Sequence, residues 1–162
     1  MGAQIQHLGG YQPGDIDVCV LTTYVQGQPL KINTSGQLEL CICYREGNDD
    51  GYVGLAKGFS GSLSRNLSDI YNGKATYWAG YNTLKLDNQN PRDPDHDDYP
   101  YDINDTFTPG DDLYINSSAK LTNAAGPYDT ICANSTPVAL VLATPSGVAE
   151  ASPAWLEIYQ VR

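Results

Sequence analysis

Apolar positions along the chain come in short runs, and many alternate with polar ones. "LELCICY" (residues 38–44) sets Leu38, Leu40 and Ile42 on one side of an extended backbone, because successive side chains of a strand point to opposite faces. "AWLEIYQV" (residues 154–161) separates Trp155, Glu157, Tyr159 and Val161 from Leu156, Ile158 and Gln160 in the same way. "IDVCVLTTYV" (16–25), "YVGLA" (52–56), "KATYWA" (74–79), "DLYIN" (112–116) and "PVALVLA" (137–143) are rich in β-branched and aromatic residues. Such runs, bounded by Gly, Pro, Asn or Asp, read as strands. Asn72-Gly73 ahead of "KATYWA" is a hairpin signal, since both residues tolerate the positive φ of a type I′ turn.

Helical periodicity is scarce, and only residues 63–71 are open to a short helix. The 16 Gly and 10 Pro are spread throughout, which leaves little room for longer ones. The spacing of runs and turns predicts an all-β fold, a compact β-sandwich or barrel of short strands. Residues 82–106 break the rhythm. They hold Pro91, Pro94 and Pro100 and show no period, as a long functional loop does. The expected organisation is an extended N-terminal arm (1–8) and one β domain (9–162) carrying a long acidic loop (82–106).

Charge sharpens this picture. The 162 residues include 9 Lys and Arg against 19 Asp and Glu, a formal charge of −10. Nine Asp and one Arg lie between Asp87 and Asp112, so most of the negative charge belongs to that one segment. The balance argues against nucleic acid, which is bound through Lys and Arg at phosphates, and against an anionic membrane surface. No apolar run approaches the roughly 18 residues of a membrane span. "MGAQIQHLGG" has neither the basic nor the apolar region of a secretory signal, which implies a protein made and used without that export route.

Candidate chemistry is thin. Nucleophilic catalysis needs a base beside the nucleophile, and the chain has only His7 and His96, one in the expected arm and one in the acidic loop. "GLAKGFSG" (54–61) lacks the Gly-Lys-Ser/Thr ending of a phosphate loop. Asp93, Asp95 and Asp97 in "DPDHDD" alternate like the opening of a calcium loop, although Asp98 stands where that loop needs Gly. Calcium bound by these three is one expectation. A solvated acidic loop with no cofactor is the favoured one. Cys19, Cys41, Cys43 and Cys132 lack zinc-site spacing and read as buried thiols. The 12 Tyr, among them Tyr11, Tyr71, Tyr81, Tyr99, Tyr101 and Tyr128 near turns, suit an interface or a sugar-binding surface.

Two stretches repeat a device: "YQPGDIDVCV" from Tyr11 and "FTPGDDLYIN" from Phe107. Pro presets φ at the first central position of a type II turn, and Gly supplies the positive φ at the second. Asp111 is expected to cap the second turn, and Tyr11 and Phe107 to pin each turn to the body.

"FTPGDDLYINSSAKLTN", "PVALVLATPSG" and "AWLEIYQV" together resemble the C-terminal part of the capsid decoration (cement) proteins of tailed bacteriophages. The shared pattern is the Gly110-Asp111 strand start, Leu113-Tyr114, the turn at 119–122, the apolar strand ending in Pro145-Ser146, and the closing strand. "GDIDVCVL", "LKINTSGQ" and "YVGLAKG" are similar to that family's N-terminal half. Ala119 and Ala139 stand where the family prefers Gly, and residues 82–106 form an insertion.

The resemblance implies a virion protein made in the host cytoplasm and bound to the outer surface of an icosahedral head. Its partners would be the major capsid protein and itself, as a homotrimer rather than a dimer. It implies no catalytic residues. Ile5, Leu8 and Tyr11 are the expected capsid or subunit contacts, because an isolated arm cannot bury them. The alternative is a carbohydrate-binding β module of a tail or fibre, with its site between Tyr81 and Tyr101.

Overall fold

The structure is a computed structural model that describes residues 5–10, 14–17, 24, 26–47, 51–57, 74–87, 100–102, 105–124, 135–144 and 155–162. Eleven strands are present and no helix is found among the described residues. They are β1 (Ile5–Gly10), β2 (Gly14–Asp17), β3 (Pro29–Ile32), β4 (Leu38–Leu40), β5 (Tyr52–Ala56), β6 (Lys74–Trp78), β7 (Asn82–Asp87), β8 (Asp112–Ile115), β9 (Leu121–Thr122), β10 (Ala139–Ala143) and β11 (Trp155–Gln160). They form two antiparallel sheets, one ordered β1-β7-β11-β10-β8-β9 and the other β2-β6-β5-β3-β4. The all-β expectation therefore holds. The suggested helix over residues 63–71 and the Asn72-Gly73 turn lie outside the described residues.

The main core draws on both sheets. Leu84 and Leu86 of β7, Leu113 and Ile115 of β8, Val141 of β10, and Leu156 and Ile158 of β11 pack with Leu55 of β5 and Trp78 of β6. Alternation chose these faces: on β11 the row Leu156, Ile158 and Gln160 is buried while Glu157 and Tyr159 are half-exposed. The five-stranded sheet is apolar on its other face too, where Tyr24, Leu30, Leu38 and Ala56 form a second cluster with Ile32, Leu40, Val53 and Tyr77.

A bulge lets one strand serve both clusters. β3 pairs with β5 as Leu30↔Gly54 and Lys31↔Tyr52, so Val53 is an extra residue. The slip puts Tyr52 and Leu55 on the main-core side, and Val53 and Ala56 on the other. Gly54 makes this possible, with φ at +148° and its α-carbon against the Trp78 carbonyl of β6.

Three sequence expectations need correction. Residues 5–8 of the supposed arm belong to β1, which pairs with β7 from Ile5↔Leu86 to Gly10↔Asn82. The backbone groups of an extended segment need partners, and the β7 edge supplies them. Residues 82–87 of the supposed loop are β7 itself, lying between β1 and β11. Further along that loop, Tyr101 bridges to Leu121 and is buried, its ring meeting Phe107 edge-on at 5.7 Å. Third, the alternation of "LELCICY" ends early. β4 stops at Leu40, Cys43 takes φ +52°, and Ile42 is 43% exposed.

The second Pro-Gly-Asp does form the expected turn. Asp111 N–H donates to Thr108 O at 3.0 Å, and Gly110 has φ +96° at the second central position. Asp111 Oδ2 accepts from Thr108 N–H at 2.8 Å, the predicted cap, and Phe107 is buried. Of the first copy, Gly14 and Asp15 lie in β2 opposite Tyr77 and Thr76, while residues 11–13 lie outside the described residues.

Candidate functional site: the outer face of the six-stranded sheet

The residues of β7, β11, β10 and β8 that alternate with the core row form the outer face. One row crosses four strands by register: Thr83, Tyr159, Leu140 and Asp112. Beside it, Lys85 lies opposite Glu157, and Glu157 lies opposite Ala143. Leu142 is the extra residue of a bulge between Val141 and Ala143 and is 41% exposed. Tyr81, just before β7, is 54% exposed and stacks on Tyr159, with ring centroids 6.4 Å apart and planes 25° from parallel. Tyr81, Tyr159, Leu140 and Leu142 thus give an apolar, aromatic strip across the sheet, with Lys85, Glu157 and Asp112 beside it. Desolvation, then the hydrogen-bonded Asp112 carboxylate, pushes the Tyr114 hydroxyl above its ordinary pKa.

The strip is held from beneath by buried polar groups. Asn82 and Gln160 are partners across β7 and β11, and both are fully buried. Asn82 Nδ2 donates to Ala79 O at 2.7 Å, and Gln160 Nε2 donates to Trp78 O at 2.7 Å and Arg162 O at 2.9 Å. These bonds fix the connection between β6 and β7, on which Tyr81 sits. Tyr52 also donates to Arg162 O, at 3.3 Å, and burial raises its hydroxyl pKa far above the usual value.

A second polar group joins the acidic segment to β9. Asp105 Oδ2 accepts from Thr122 Oγ1 at 2.5 Å and from Asn123 N–H at 3.3 Å. Asn123 Nδ2 donates to Asp111 Oδ2 at 2.9 Å and to Thr106 O at 2.8 Å. Desolvation is the largest influence on Asp105 and raises its pKa, against the opposing pull of the Thr122 hydrogen bond. The native state therefore holds the Asp105 proton more tightly than the unfolded chain does. Stability falls as pH rises from the ordinary carboxylate range through the raised value. Asp105→Asn keeps an oxygen for Thr122 and removes that slope. In urea titrations between pH 3 and 7, the variant should gain on the wild type as pH rises; parallel curves would refute this.

The structure places the sequence candidates as follows. Ile5 stands opposite Leu86 in β1, and Leu8 falls at the irregularity between His7 and Gly9. Tyr11 lies outside the described residues, as do Asp93, Asp95 and Asp97. No group of three or more His, Cys, Asp or Glu is placed to hold a metal among the described residues. Of the turn-side tyrosines, Tyr81 is exposed whereas Tyr101 is core. Cys43 is disulfide-bonded, against the reading of four buried thiols, while Cys41 is a buried thiol. The outer strip escaped the sequence reading, because Tyr81 and Tyr159 meet only through the β7–β11 pairing. The alternation of β11 was the available signal.

No protein-family model matches the chain, and no curated protein matches it in sequence.

Proposed function

We propose that the protein is a capsid decoration protein that binds the outer surface of an icosahedral phage head and braces contacts between capsomers of the major capsid protein. The observation that carries this reading is the strip on the outer sheet face formed by exposed Tyr81 and Leu142 with half-buried Tyr159 and Leu140. Monomeric proteins rarely leave a large apolar patch uncovered, and such patches mark contact surfaces. The likeness of the sequence to decoration proteins supplies the partner. The protein acts without catalysis, as a homotrimer whose copies each make modest contacts. Attachment is strong because several contacts form together. Ile5 and Leu8 contribute by completing the sheet edge rather than as a loose arm.

The test uses phage heads lacking decoration protein. Leu142→Asp with Tyr81→Ala should lower occupancy at least roughly tenfold, the effect of removing anchors from an interface centre. The melting temperature should stay within about 2 °C, since both residues are exposed. Undiminished decoration by a folded double variant overturns the reading.

The stacked Tyr81–Tyr159 pair also favours a second reading, a carbohydrate-binding module, because exposed tyrosine rings can pack on sugar faces. A glycan array with and without chelator separates the two. Binding there, with no shell binding, selects the second.

A further inference from the structure

We infer that β2–β6 and β7–β11 are two copies of one five-stranded unit, and that the outer strip is the second copy's sheet-docking face. Its occupant, resting on the capsid reading above, is a β-sheet face of the major capsid protein that carries a row of aliphatic side chains.

The repeat is written in topology, hydrogen bonds and sequence. Taken in chain order, β2 to β6 match β7 to β11. One sheet runs β2-β6-β5-β3-β4, the other runs β7-β11-β10-β8-β9 after β1, and every pairing is antiparallel. Gly27 (φ +91°) N–H donates to Ala56 O, and Gly110 (φ +96°) N–H donates to Val141 O, both at 2.8 Å. In return Ala56 N–H donates to Gln28 O, and Val141 N–H donates to Asp111 O. The hairpins agree as well. Asn33 Oδ1 accepts from Ser35 and Gln37 N–H, and Asn116 Oδ1 accepts from Ser118 and Lys120 N–H, all at 2.9–3.0 Å. Gly36 and Ala119 then take positive φ, at +75° and +56°. A spacing of 83 positions relates Gly27, Leu30, Asn33 and Leu38 to the identical residues Gly110, Leu113, Asn116 and Leu121. Gly110 of the second Pro-Gly-Asp therefore answers to Gly27 rather than to Gly14.

Equivalent faces do not meet in the core. Leu113, Ile115 and Ile158 line the main core, whereas their counterparts Leu30, Ile32 and Tyr77 line the second cluster. The main core is closed instead by Leu55 and Trp78 of the first copy. By register, the pair Leu55↔Trp78 corresponds to Leu140↔Tyr159, at the centre of the outer strip. One copy of this face is thus already docked on an aliphatic sheet face, and the other copy looks outward. The strip continues an interface that the chain makes internally.

A second copy of the chain does not supply the missing sheet. Both of its aliphatic faces are buried, since Leu30, Leu38, Leu113 and Leu121 are each 0% exposed. Area points the same way. Four strands about 4.8 Å apart and roughly five residues long offer about 300 Å² a side, roughly half of the 1,200 Å² that a stable pair buries in total. A contact of that size holds when many copies bind one surface together, as on a shell.

Cryo-electron microscopy of the wild-type protein on heads lacking decoration protein decides the occupant. The expected map has a β-sheet of the shell protein about 10 Å from the β7-β11-β10-β8 face. A helix, a loop, solvent or a second copy over the strip overturns the assignment while leaving decoration intact. Heads that take up no protein refute the capsid reading and this occupant together. The repeat is tested apart from any partner by exchanging its turns. One chain carries Thr34→Ser, Gly36→Ala and Gln37→Lys, and another carries Ser117→Thr, Ala119→Gly and Lys120→Gln. Both should fold and melt within about 5 °C of the wild type, because each turn keeps its Asn cap. Unfolding of either chain at room temperature refutes the equivalence.

Discussion

Gly54→Ala is expected to leave the protein unfolded at room temperature. An added β-carbon at position 54 would sit 2.1 Å from the Trp78 carbonyl oxygen and 2.9 Å from its carbon. Neither neighbour can give way, because Trp78 lies in β6 and its carbonyl oxygen already accepts from Gln160 Nε2. The φ of +148° adds strain that only glycine escapes. Moving β5 away from β6 would break the Leu55↔Trp78 pairing that joins the two halves of the five-stranded sheet. A clash of this kind costs at least about 4 kcal/mol, a large share of the 5–15 kcal/mol that usually holds a domain together. Gly36→Ala is the control. Position 36 also has positive φ, at +75°, but nothing within 4 Å, so its cost should be about 1 kcal/mol. Urea midpoints of the two variants decide the matter. Equal, small losses would show that the close approach at Gly54 is not rigid.

Removal of residues 1–10 should destabilise the protein by roughly 3–6 kcal/mol, since five register pairs with β7 are lost at about 1 kcal/mol per hydrogen bond and some burial goes with them. β7 would become the edge of the six-stranded sheet, with the backbone groups that face β1 left open to other chains. The expected outcome is a lower urea midpoint and concentration-dependent aggregation in light scattering. A truncated protein that stays monomeric with an unchanged midpoint would mean that β1 only rests on the sheet. The same truncation is therefore a poor probe of capsid attachment, because loss of decoration would follow from loss of the fold.

The elements legible in the sequence were those whose local pattern matched their final surroundings. β5 was read residue for residue, and the two alternating rows of β11 were separated correctly, though not which of them faces the core, because each row meets a single environment. The type II turn at Pro109-Gly110 was legible because the chemistry of Pro and Gly acts within four residues. β7 was hidden. Leu84 and Leu86 alternate with Thr83, Lys85 and Asp87, but two leucines ahead of a Pro- and Asp-rich stretch looked like the start of a loop. β1 was hidden for a different reason: "IQHLGG" has no clear alternation, and its strand character comes from a neighbour far away in sequence. Cys43 defeated the pattern through one backbone angle. The outer strip was half legible, since the outward row of β11 named Tyr159 but not the Tyr81 ring that lies against it.

The order of strands in the larger sheet also imposes an order in time. Ile5 must wait for Leu86, 81 positions downstream, before β1 has a partner. The β1–β7 ribbon and the β10-β8-β9 group do not touch as neighbours; β11 stands between them and is the last of the eleven strands to be synthesised. On the ribosome the sheet therefore exists as two separate pieces, each with an open side, until β11 emerges and slots into the gap. Pairings of such long range are slow to form, and unfinished edges invite wrong partners. The emerging chain is most exposed to misassembly just before β11 appears, and that final insertion converts two ribbons into one sheet.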